Sequence, residues 1–354
     1  MNINNYIRLG KKIFFAKITQ KKIPLIVILS ITNKCNLNCW YCYGEHYKKN
    51  NWKDFTTKEL LKIIQDLHSL GSEIIQLQGG EPLMRDDIKI IINEVKRLGM
   101  ICDMVTNGTL IPEKRNVVSQ LDKICISLDG PLHINDKNRG KGSFIRIIKG
   151  METACNLGLP VRISAVLTFQ TSKQDIDWLI DFALKHSQYR MVVNFSPFFE
   201  SVSSFEINKN QFHTINNKRL KDIFRYISKQ KEKGAPIQFT AKSYKHAAQW
   251  PFTYEKNKMF SIDRASINYD YPKCYHGKFI FFIDADGSLY PCCNFWGKSN
   301  VNVKAYGLKG AISKLSKKKC QACYIPAYID RNLFFEGAPK VWWNYFKQVI
   351  RERI

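Results

Sequence analysis

The sequence predicts an α/β protein built on a parallel sheet, followed by a smaller region of different character. Short apolar runs alternate with longer helical patterns six times between residues 25 and 235, which is typical of parallel strands joined by crossover helices. Beyond residue 235 this alternation stops, and aromatic and polar residues mix without a clear period. Six units are too few for a closed eight-stranded barrel.

Residues 1–24 are predicted to form a basic amphipathic extension. Apolar residues recur there at helical spacing, with cations between them: Tyr6, Ile7, Ile13, Phe14 and Ile18, with Arg8, Lys11, Lys12, Lys17, Lys21 and Lys22. Such a helix can cap the bottom of a barrel or lie on a membrane surface. Both interpretations stay open at this point.

Residues 25–235 are predicted to form the core. The first helix follows Thr56 with an early Glu59 and ends at Gly71, as capping rules expect. We predict strands over 25–31, 73–77, 100–105, 123–128, 160–168 and 191–196, and helices over 57–70, 86–98, 143–157 and 173–187. Since the carboxyl ends of such strands meet at one face, the motifs that follow the strands are expected to share it.

The loop after the first strand carries three cysteines, in the order Cys-Asn-Leu-Asn-Cys-Trp-Tyr-Cys. The thiols of Cys35, Cys39 and Cys42 are one too few for a closed four-ligand metal cage. Three ligands leave one iron of a 4Fe–4S cluster open to a group that is not protein. Three buried thiols without metal, or a zinc site completed by His46, are the alternatives.

This spacing and its context resemble the radical S-adenosylmethionine (SAM) enzymes. The resemblance implies a partial (β/α)6 TIM-like barrel and a SAM-binding 4Fe–4S cluster held by Cys35, Cys39 and Cys42. It also implies that SAM binds the open iron and that Tyr41 packs near its adenine. A low-potential electron donor of the flavodoxin or ferredoxin type is the partner expected for this chemistry.

Two further strand ends resemble cofactor-binding positions of the same family. Gly79, Gly80, Glu81 and Pro82 follow the second strand, and the resemblance implies that this loop holds the amino group of SAM. Two glycines also let the backbone approach a ligand closely. Ser127 and Arg162 resemble positions that hold the SAM ribose and carboxylate, although ordinary strand residues would explain them too. Thr106 and Asn107 can line the same cavity or form a turn.

The segment from Ser127 to Phe144 resembles a loop common in peptide-modifying members. Asp129 is predicted at the mouth of the barrel as a substrate contact, with a solvated loop acid as the alternative. Lys137, Arg139 and Lys141 are predicted to be a solvated basic cluster.

Residues 236–354 contain the second cysteine set. Cys274 precedes a hairpin pattern with an Asp-Gly turn, Cys292 and Cys293 follow it, and Cys320-Gln-Ala-Cys323 comes later. The spacing resembles SPASM domains, and the lack of later cysteines suits the shortened twitch version. We therefore expect a small C-terminal iron–sulfur (SPASM/twitch-like) domain. It would hold a second, auxiliary 4Fe–4S cluster on Cys274, Cys292, Cys320 and Cys323. Cys293 is a spare or an alternative to Cys292, and structural zinc is the competing interpretation.

The same region ends in an aromatic helix with interleaved cations, over residues 341–351. Docking back onto the fold and anchoring at an interface are both open.

Composition limits the compartment and the partners. The chain has 354 residues, 45% of them hydrophobic, and a net charge of +25. Without a recognisable signal peptide, eleven cysteines indicate metal ligation in a reducing cytoplasm rather than a disulfide scaffold. The isolated Cys102, Cys125 and Cys155 are predicted to be small buried hydrophobes. The charge favours acidic partners, including an anionic membrane surface on which the protein would be peripheral, but no specific nucleic acid is predicted.

The predicted function follows from the resemblance. A radical SAM enzyme would cleave SAM reductively to a 5′-deoxyadenosyl radical and abstract hydrogen from its substrate, most consistently in oxidative maturation of a peptide or protein. The alternatives are a small-molecule dehydrogenase of the aminoglycoside type, a lipid-modifying enzyme and a non-enzymatic iron–sulfur scaffold.

Overall fold

The structure is a computed structural model that describes residues 3–42, 53–198, 217–297, 299–315 and 320–351. The zinc alternative that uses His46 lies outside these residues. In the described residues, no helix is long and apolar enough to cross a membrane.

The core is a sheet whose first six strands are all parallel and lie in the order β6-β5-β4-β3-β2-β1. The strands are β1 Ile26–Thr32, β2 Ile74–Gly79, β3 Ile101–Thr106, β4 Lys123–Ser127, β5 Val161–Leu167 and β6 Val192–Pro197. Each predicted strand is present, with bounds that differ by one or two residues. The partial barrel is confirmed.

Helices connect and cover these strands. They are α1 Ile3–Ile18, α2 Thr57–Ser69, α3 Ile88–Arg97, α4 Arg115–Val118, α5 Leu132–Arg139, α6 Ser143–Asn156, α7 Lys173–Lys185, α8 Asn217–Glu232, α9 Ala241–Ala248, α10 Val303–Lys314, α11 Pro326–Glu336 and α12 Pro339–Arg351. In α2 the Thr56 hydroxyl accepts from the Glu59 amide and the Glu59 carboxylate accepts from the Thr56 amide, which is the capping box the sequence indicates. Its buried residues repeat every three or four positions, so one face packs on the sheet: Leu60, Ile63, Ile64 and Leu67.

The predicted C-terminal hairpin is part of the same sheet. Strand β8 Ile280–Ile283 runs parallel beside β1, with Ile26 opposite Ile280, and β9 Leu289–Tyr290 pairs with it antiparallel. The sheet therefore has eight strands. A second small sheet pairs β7 Met259–Phe260 with β10 Cys320–Ala322. The division of the chain at residues 24 and 235 stays a prediction.

The helices at the two ends of the chain cover the amino ends of the strands. On α1, Leu9, Ile13 and Ala16 are buried, and the buried Glu73 carboxylate forms ion pairs with Arg8 and Lys12. On α12, the Trp342 indole donates to the Phe334 carbonyl at 2.8 Å. Both helices therefore contact the rest of the fold, and a role of either one at a membrane surface stays a prediction.

Candidate functional site

Four loops meet at the carboxyl ends of neighbouring strands. The cysteine loop follows β1, the Gly-Gly-Glu-Pro loop follows β2, a Thr-Asn-Gly-Thr loop over 106–109 follows β3, and a loop running into α5 follows β4. Hydrogen bonds join the cysteine loop, or the residues that lead into it, to each of the other three loops. The strand-end motifs therefore form one connected surface, as the sequence predicts.

The two glycines let the second loop lie against the backbone that leads into the cysteine loop. The Gly80 amide donates to the Thr32 carbonyl and the Glu81 amide to the Lys34 carbonyl, both at 2.8 Å. A Cβ on Gly79 would lie 2.2 Å from the Thr32 oxygen, and one on Gly80 would lie 2.2 Å from the Lys34 oxygen. The close approach that requires glycine here is made by the protein's own chain. A role of this loop toward SAM stays a prediction.

Glu81 is fully buried and bonded to the protein through both carboxylate oxygens. One oxygen accepts from the Leu83 amide at 3.0 Å and the Thr106 hydroxyl at 2.7 Å, and the other accepts from the Asn107 amide at 2.7 Å. Burial raises the pKa of Glu81 although these donors oppose the rise. In this structure Glu81 therefore joins the second loop to the third, and an ammonium contact stays a prediction.

One side of the cysteine loop is held by the loop after β3. The Asn36 side chain donates to the Thr109 hydroxyl at 2.9 Å and accepts from Asn107 Nδ2 at 2.8 Å. The same Nδ2 lies 4.0 Å from Cys35 Sγ. Asn107 therefore contacts the cysteine loop beside its first thiol, and its place in a SAM cavity stays a prediction.

The other side of the cysteine loop is held by the loop after β4. The Trp40 indole donates to Asn138 Oδ1 at 2.9 Å, and the Tyr41 hydroxyl donates to Asp129 at 2.6 Å. The Trp40 ring packs on Phe198, with ring centroids 5.6 Å apart. Burial raises the pKa of Tyr41 well above its ordinary value, so its hydroxyl stays protonated and able to donate.

Asp129 differs from both predicted interpretations, because it is 1% exposed rather than a substrate contact or a solvated acid. It forms an ion pair with Arg139, which donates at 2.8 and 3.0 Å to the two carboxylate oxygens. Tyr41, Asn138 and the Val166 amide supply three more hydrogen bonds. Both carboxylate oxygens of Asp129 thus accept hydrogen bonds from the protein itself. The bond from Tyr41 connects this carboxylate to the cysteine loop and helps to hold the loop in place.

Arg139 is correspondingly buried, not part of a solvated basic cluster. Burial opposes its charge, but the Asp129 carboxylate, Tyr41 and Cys39 together outweigh that effect and raise the pKa of Arg139. Its guanidinium carbon also lies 5.6 Å from the centre of the Tyr41 ring, within reach of a cation–π contact.

The three thiols of the loop are all half-buried. Burial raises the pKa of Cys39 to about 11, with Arg139 lowering it and Cys42, Asp129 and Cys35 raising it. No group of three or more Cys, His, Asp or Glu side chains is arranged as a metal site in the part of the chain that the structure describes. The donor set of three thiols on one loop fits an iron–sulfur cluster by its chemistry, and ligation stays a proposal.

Ser127 and Arg162 occupy different levels of the barrel. Ser127 ends β4 at the level of the site and lies opposite Ser164. Arg162 is the second residue of β5, and both Asp103 oxygens accept from its guanidinium. Both ends of that ion pair line a cavity of about 130 Å³ at the amino ends of the strands. The structure therefore does not bring Arg162 to the cysteine loop, contrary to the expectation, because its side chain points to the opposite end of the barrel.

The second cysteine set lies beside the sheet extension. Cys292 and Cys293 are buried, whereas Cys274, Cys320 and Cys323 are half-buried. The Tyr328 hydroxyl donates to Cys293 Sγ at 2.5 Å. Burial raises the pKa of Cys323, and Cys274, Cys320 and Cys293 raise it further. Cys274, Cys320 and Cys293 are thus close enough to Cys323 to act on its charge, and the choice between Cys292 and Cys293 as ligand stays open.

The isolated cysteines behave as predicted. Cys102, Cys125 and Cys155 are buried in the hydrophobic interior.

The residues that the sequence did not reveal are the ones that fix the cysteine loop. Asn36, Trp40, Thr109 and Asn138 carry no motif of their own. Their one sequence signal is position: Asn36 and Trp40 lie between the cysteines of the loop, Thr109 follows the end of β3, and Asn138 lies on α5 after the loop that follows β4.

Residues 29–183 match the family model described as the Radical SAM superfamily. A curated Fe-coproporphyrin III synthase of Methanosarcina barkeri is 34% identical over 155 residues, which is 43% of this chain and 38% of that protein. A probable GTP 3′,8-cyclase of Methanococcus aeolicus is 29% identical over 224 residues, which is 60% of this chain and 74% of that protein. The first of these similarities thus spans well under half the length of its relative.

Solved structures show the same fold. Streptococcus suis SuiB bound to S-adenosylmethionine superposes with a TM-score of 0.60 at 19% identity, covering 84% of this chain and 66% of SuiB. The protein anSMEcpe with bound SAM superposes with a TM-score of 0.60 at 15% identity, covering 90% of this chain and 98% of that one.

Proposed function

Because residues 29–183 belong to the radical SAM superfamily, we propose that this protein cleaves SAM reductively and oxidatively modifies a peptide or protein. When bound, the cluster would supply one electron and SAM would supply the carbon–sulfur bond that this electron cleaves. The products would be methionine and a 5′-deoxyadenosyl radical able to abstract hydrogen from substrate. Cys35, Cys39 and Cys42 would hold the cluster, and Tyr41, Gly79–Pro82 and Ser127 are the proposed SAM contacts.

The protein's own contribution is to fix the geometry of the cysteine loop. Asn107 and Asn36 hold it on one side, while Asp129, through Tyr41, holds it on the other. Because these partners lie on separate strand ends, the loop is tied to the rigid sheet on both sides. Preorganised positions of this kind keep a reactive cofactor aligned with its substrate.

The choice of a peptide or protein substrate is supported by the structural similarity of most of this chain to enzymes whose structures contain peptides. The likeness to anSMEcpe covers 90% of this chain and extends beyond the barrel. Structures of SuiB and anSMEcpe have been determined with a precursor peptide and with peptides, respectively. This is the observation that carries the proposal.

The second cysteine set supports an oxidative outcome. Cys274, Cys320 and Cys323, with Cys292 or Cys293, would hold an auxiliary 4Fe–4S cluster, which supplies an acceptor for an electron or a point of attachment for substrate. A structural zinc is the competing occupant, and metal analysis of a variant lacking the first three cysteines separates iron from zinc.

A small-molecule substrate is the second candidate, and the curated relatives favour it. Their names specify a GTP cyclase and a coproporphyrin synthase. The aminoglycoside-type dehydrogenase remains within this class. A lipid substrate has weaker support, since only the basic and aromatic end helices favour it.

The first test is SAM cleavage by anaerobically reconstituted protein with dithionite. The proposal predicts formation of 5′-deoxyadenosine, which a non-enzymatic scaffold would not produce. Cys39→Ala should abolish cleavage. Cys320→Ala should spare cleavage at least in part while blocking the full reaction, so complete loss of cleavage in Cys320→Ala would contradict separate roles for the two cysteine sets.

The second test identifies the substrate class. Candidate acidic peptides with deuterium on carbon, and GTP with deuterium on the ribose, are incubated in turn with the active enzyme. Deuterium in 5′-deoxyadenosine from a peptide supports the proposal. Deuterium transfer from GTP alone would overturn the peptide proposal and leave the radical SAM assignment intact.

The flavodoxin- or ferredoxin-type donor and the cytoplasmic location are part of the same proposal. Low-potential donors of this type are acidic, and the +25 charge of the chain would attract them. Reduction by such a donor in place of dithionite, with a rate that falls as salt is raised, is the expected behaviour.

A further inference from the structure

The helices from the two ends of the chain meet and form one surface. Placing a Cβ on Gly10 of α1 would bring it 3.8 Å from the Trp342 ring of α12. Gly10 lies three residues after Ile7 and four before Phe14, so it shares their side of the helix. The indole of α12 therefore adjoins the outward side of α1.

This surface is unusually apolar for one that faces solvent. Phe14 is 67% exposed and Trp343 is 56% exposed. The terminal-helix face consists of Ile7, Phe14, Phe15 and Ile18 on α1 and Trp342, Trp343 and Phe346 on α12, all of them exposed. Both helices already bury other side chains, such as Ile13 and Val341. Trp342 also contacts the fold through its bond to Phe334, but packing on the barrel does not account for the other six.

The charged residues of the two helices are all basic. Neither helix contains an acidic residue, while together they carry Arg8, Lys11, Lys12, Lys17, Lys340, Lys347 and Arg351. Cations border the aromatic rings directly: Lys21 lies 5.8 Å from the centre of the Phe15 ring and Lys347 lies 5.5 Å from that of Trp343. Arg8 and Lys12 are paired with Glu73.

We propose that the terminal-helix face lies on the surface of an anionic lipid bilayer. Aromatic and aliphatic side chains ringed by lysines combine apolar burial in the interface with attraction to acidic headgroups. A second copy of the chain is a poorer occupant, because two such faces would bring like charges together. The proposal is independent of the substrate and of the chemistry proposed above.

This orientation has a consequence for the site. The end helices cover the amino ends of the strands, whereas the cysteine loop lies at their carboxyl ends. With the terminal-helix face on the membrane, the loops of the candidate site would face away from the lipid and stay open to a substrate in solution.

Sedimentation of the reconstituted holoprotein with vesicles tests the proposal. Binding is expected with vesicles of phosphatidylcholine and phosphatidylglycerol, and it should weaken when salt is raised. Vesicles of phosphatidylcholine alone should bind at least tenfold more weakly. Equal binding to both kinds of vesicle, or binding to neither, would overturn the proposal.

Variants assign the binding to the face. Phe14→Ser and Trp343→Ser should each weaken binding about tenfold, because each removes a large side chain that the interface would bury. Lys11→Ala should weaken it about fivefold. Ile145→Ser is the matched control, since Ile145 is 66% exposed on α6, and it should bind as the wild type does. Urea unfolding and SAM cleavage that match the wild type show that a variant is folded.

Two results would point to other occupants and contradict the proposal. Vesicle binding that responds to Lys11→Ala but not to Phe14→Ser would indicate charge attraction without insertion, as for an acidic protein partner. A dimer in the absence of lipid that dissociates in Phe14→Ser would indicate that a second copy covers the face.

Discussion

Replacing Asp129 with Asn separates a structural role for this carboxylate from a role in substrate binding. The side chain is 1% exposed and its partner Arg139 is 5% exposed. One carboxylate oxygen accepts from Tyr41, Asn138 and Arg139, and the other accepts from Arg139 and the Val166 amide. Asparagine keeps the volume but removes the charge and turns one acceptor into a donor.

The cost follows from these contacts. Removing one partner of a buried ion pair typically destabilises a protein by about 3 to 5 kcal/mol, because the remaining charge is left uncompensated. The side-chain amide of the variant has one oxygen, which can keep the hydrogen bonds of only one of the two carboxylate oxygens. At least two donors would then face the amide NH2 group and lose their acceptor. We therefore expect Asp129→Asn to lower the free energy of unfolding by about 3 to 5 kcal/mol.

Urea unfolding of the anaerobic protein measures this loss. Asp222→Asn is the control, because Asp222 is paired with Arg225 on the surface and should cost less than about 1 kcal/mol. Adding Arg139→Gln to Asp129→Asn should cost less than the sum of the two single changes, since the double variant leaves no unpaired charge.

The opposite pattern would refute this account of Asp129. Suppose that the free energy of unfolding of Asp129→Asn is within about 1 kcal/mol of the wild-type value, and that the variant still cleaves SAM but no longer turns over substrate. The carboxylate would then be a substrate contact. That result would restore the role expected from the sequence.

Three further changes test the surroundings of the site. Gly80→Ala places a methyl group 2.2 Å from the Lys34 oxygen and should cost about 1 to 3 kcal/mol or more and reduce iron incorporation. Gly310→Ala should do neither, because its Cβ would make an ordinary contact with the Tyr306 side chain at 3.5 Å. Normal iron content in Gly80→Ala would be the contrary result. Arg162→Gln should destabilise the protein by about 3 kcal/mol and leave the Kd for SAM unchanged in equilibrium dialysis; weakened SAM binding at full stability would instead support the predicted carboxylate contact. Glu73→Gln removes both ion pairs to α1 and should speed amide hydrogen exchange throughout that helix, and unchanged exchange would show that apolar packing alone holds it.

The architecture was largely predictable because local patterns determine it. Each of the six strands is an apolar run, and α2 has its capping residues at the expected positions. The parallel pairing of β8 with β1 was not predictable, because Ile280 and Ile26 are far apart in the chain and no local rule joins them.

The site was predictable in its motifs but not in its contacts. The cysteine loop and the Gly-Gly-Glu-Pro loop carry unusual residues at strand ends, and a sequence reveals these directly. The sequence does not show whether Asp129 contacts a substrate or the guanidinium of Arg139. That depends on how helix α5 packs against the loop that precedes it. Likewise, Arg162 could have pointed to either end of the barrel, and only its pairing with Asp103 decides which.

The central claim is that three thiols hold a cluster with one iron left open for SAM. The most direct measurement is electron paramagnetic resonance of the reduced protein, with and without SAM, in the Cys320→Ala/Cys323→Ala variant that lacks the second site. The account predicts about four iron atoms per chain and a spectrum that changes when SAM is added. No iron, or a cluster spectrum that SAM leaves unchanged, would contradict it.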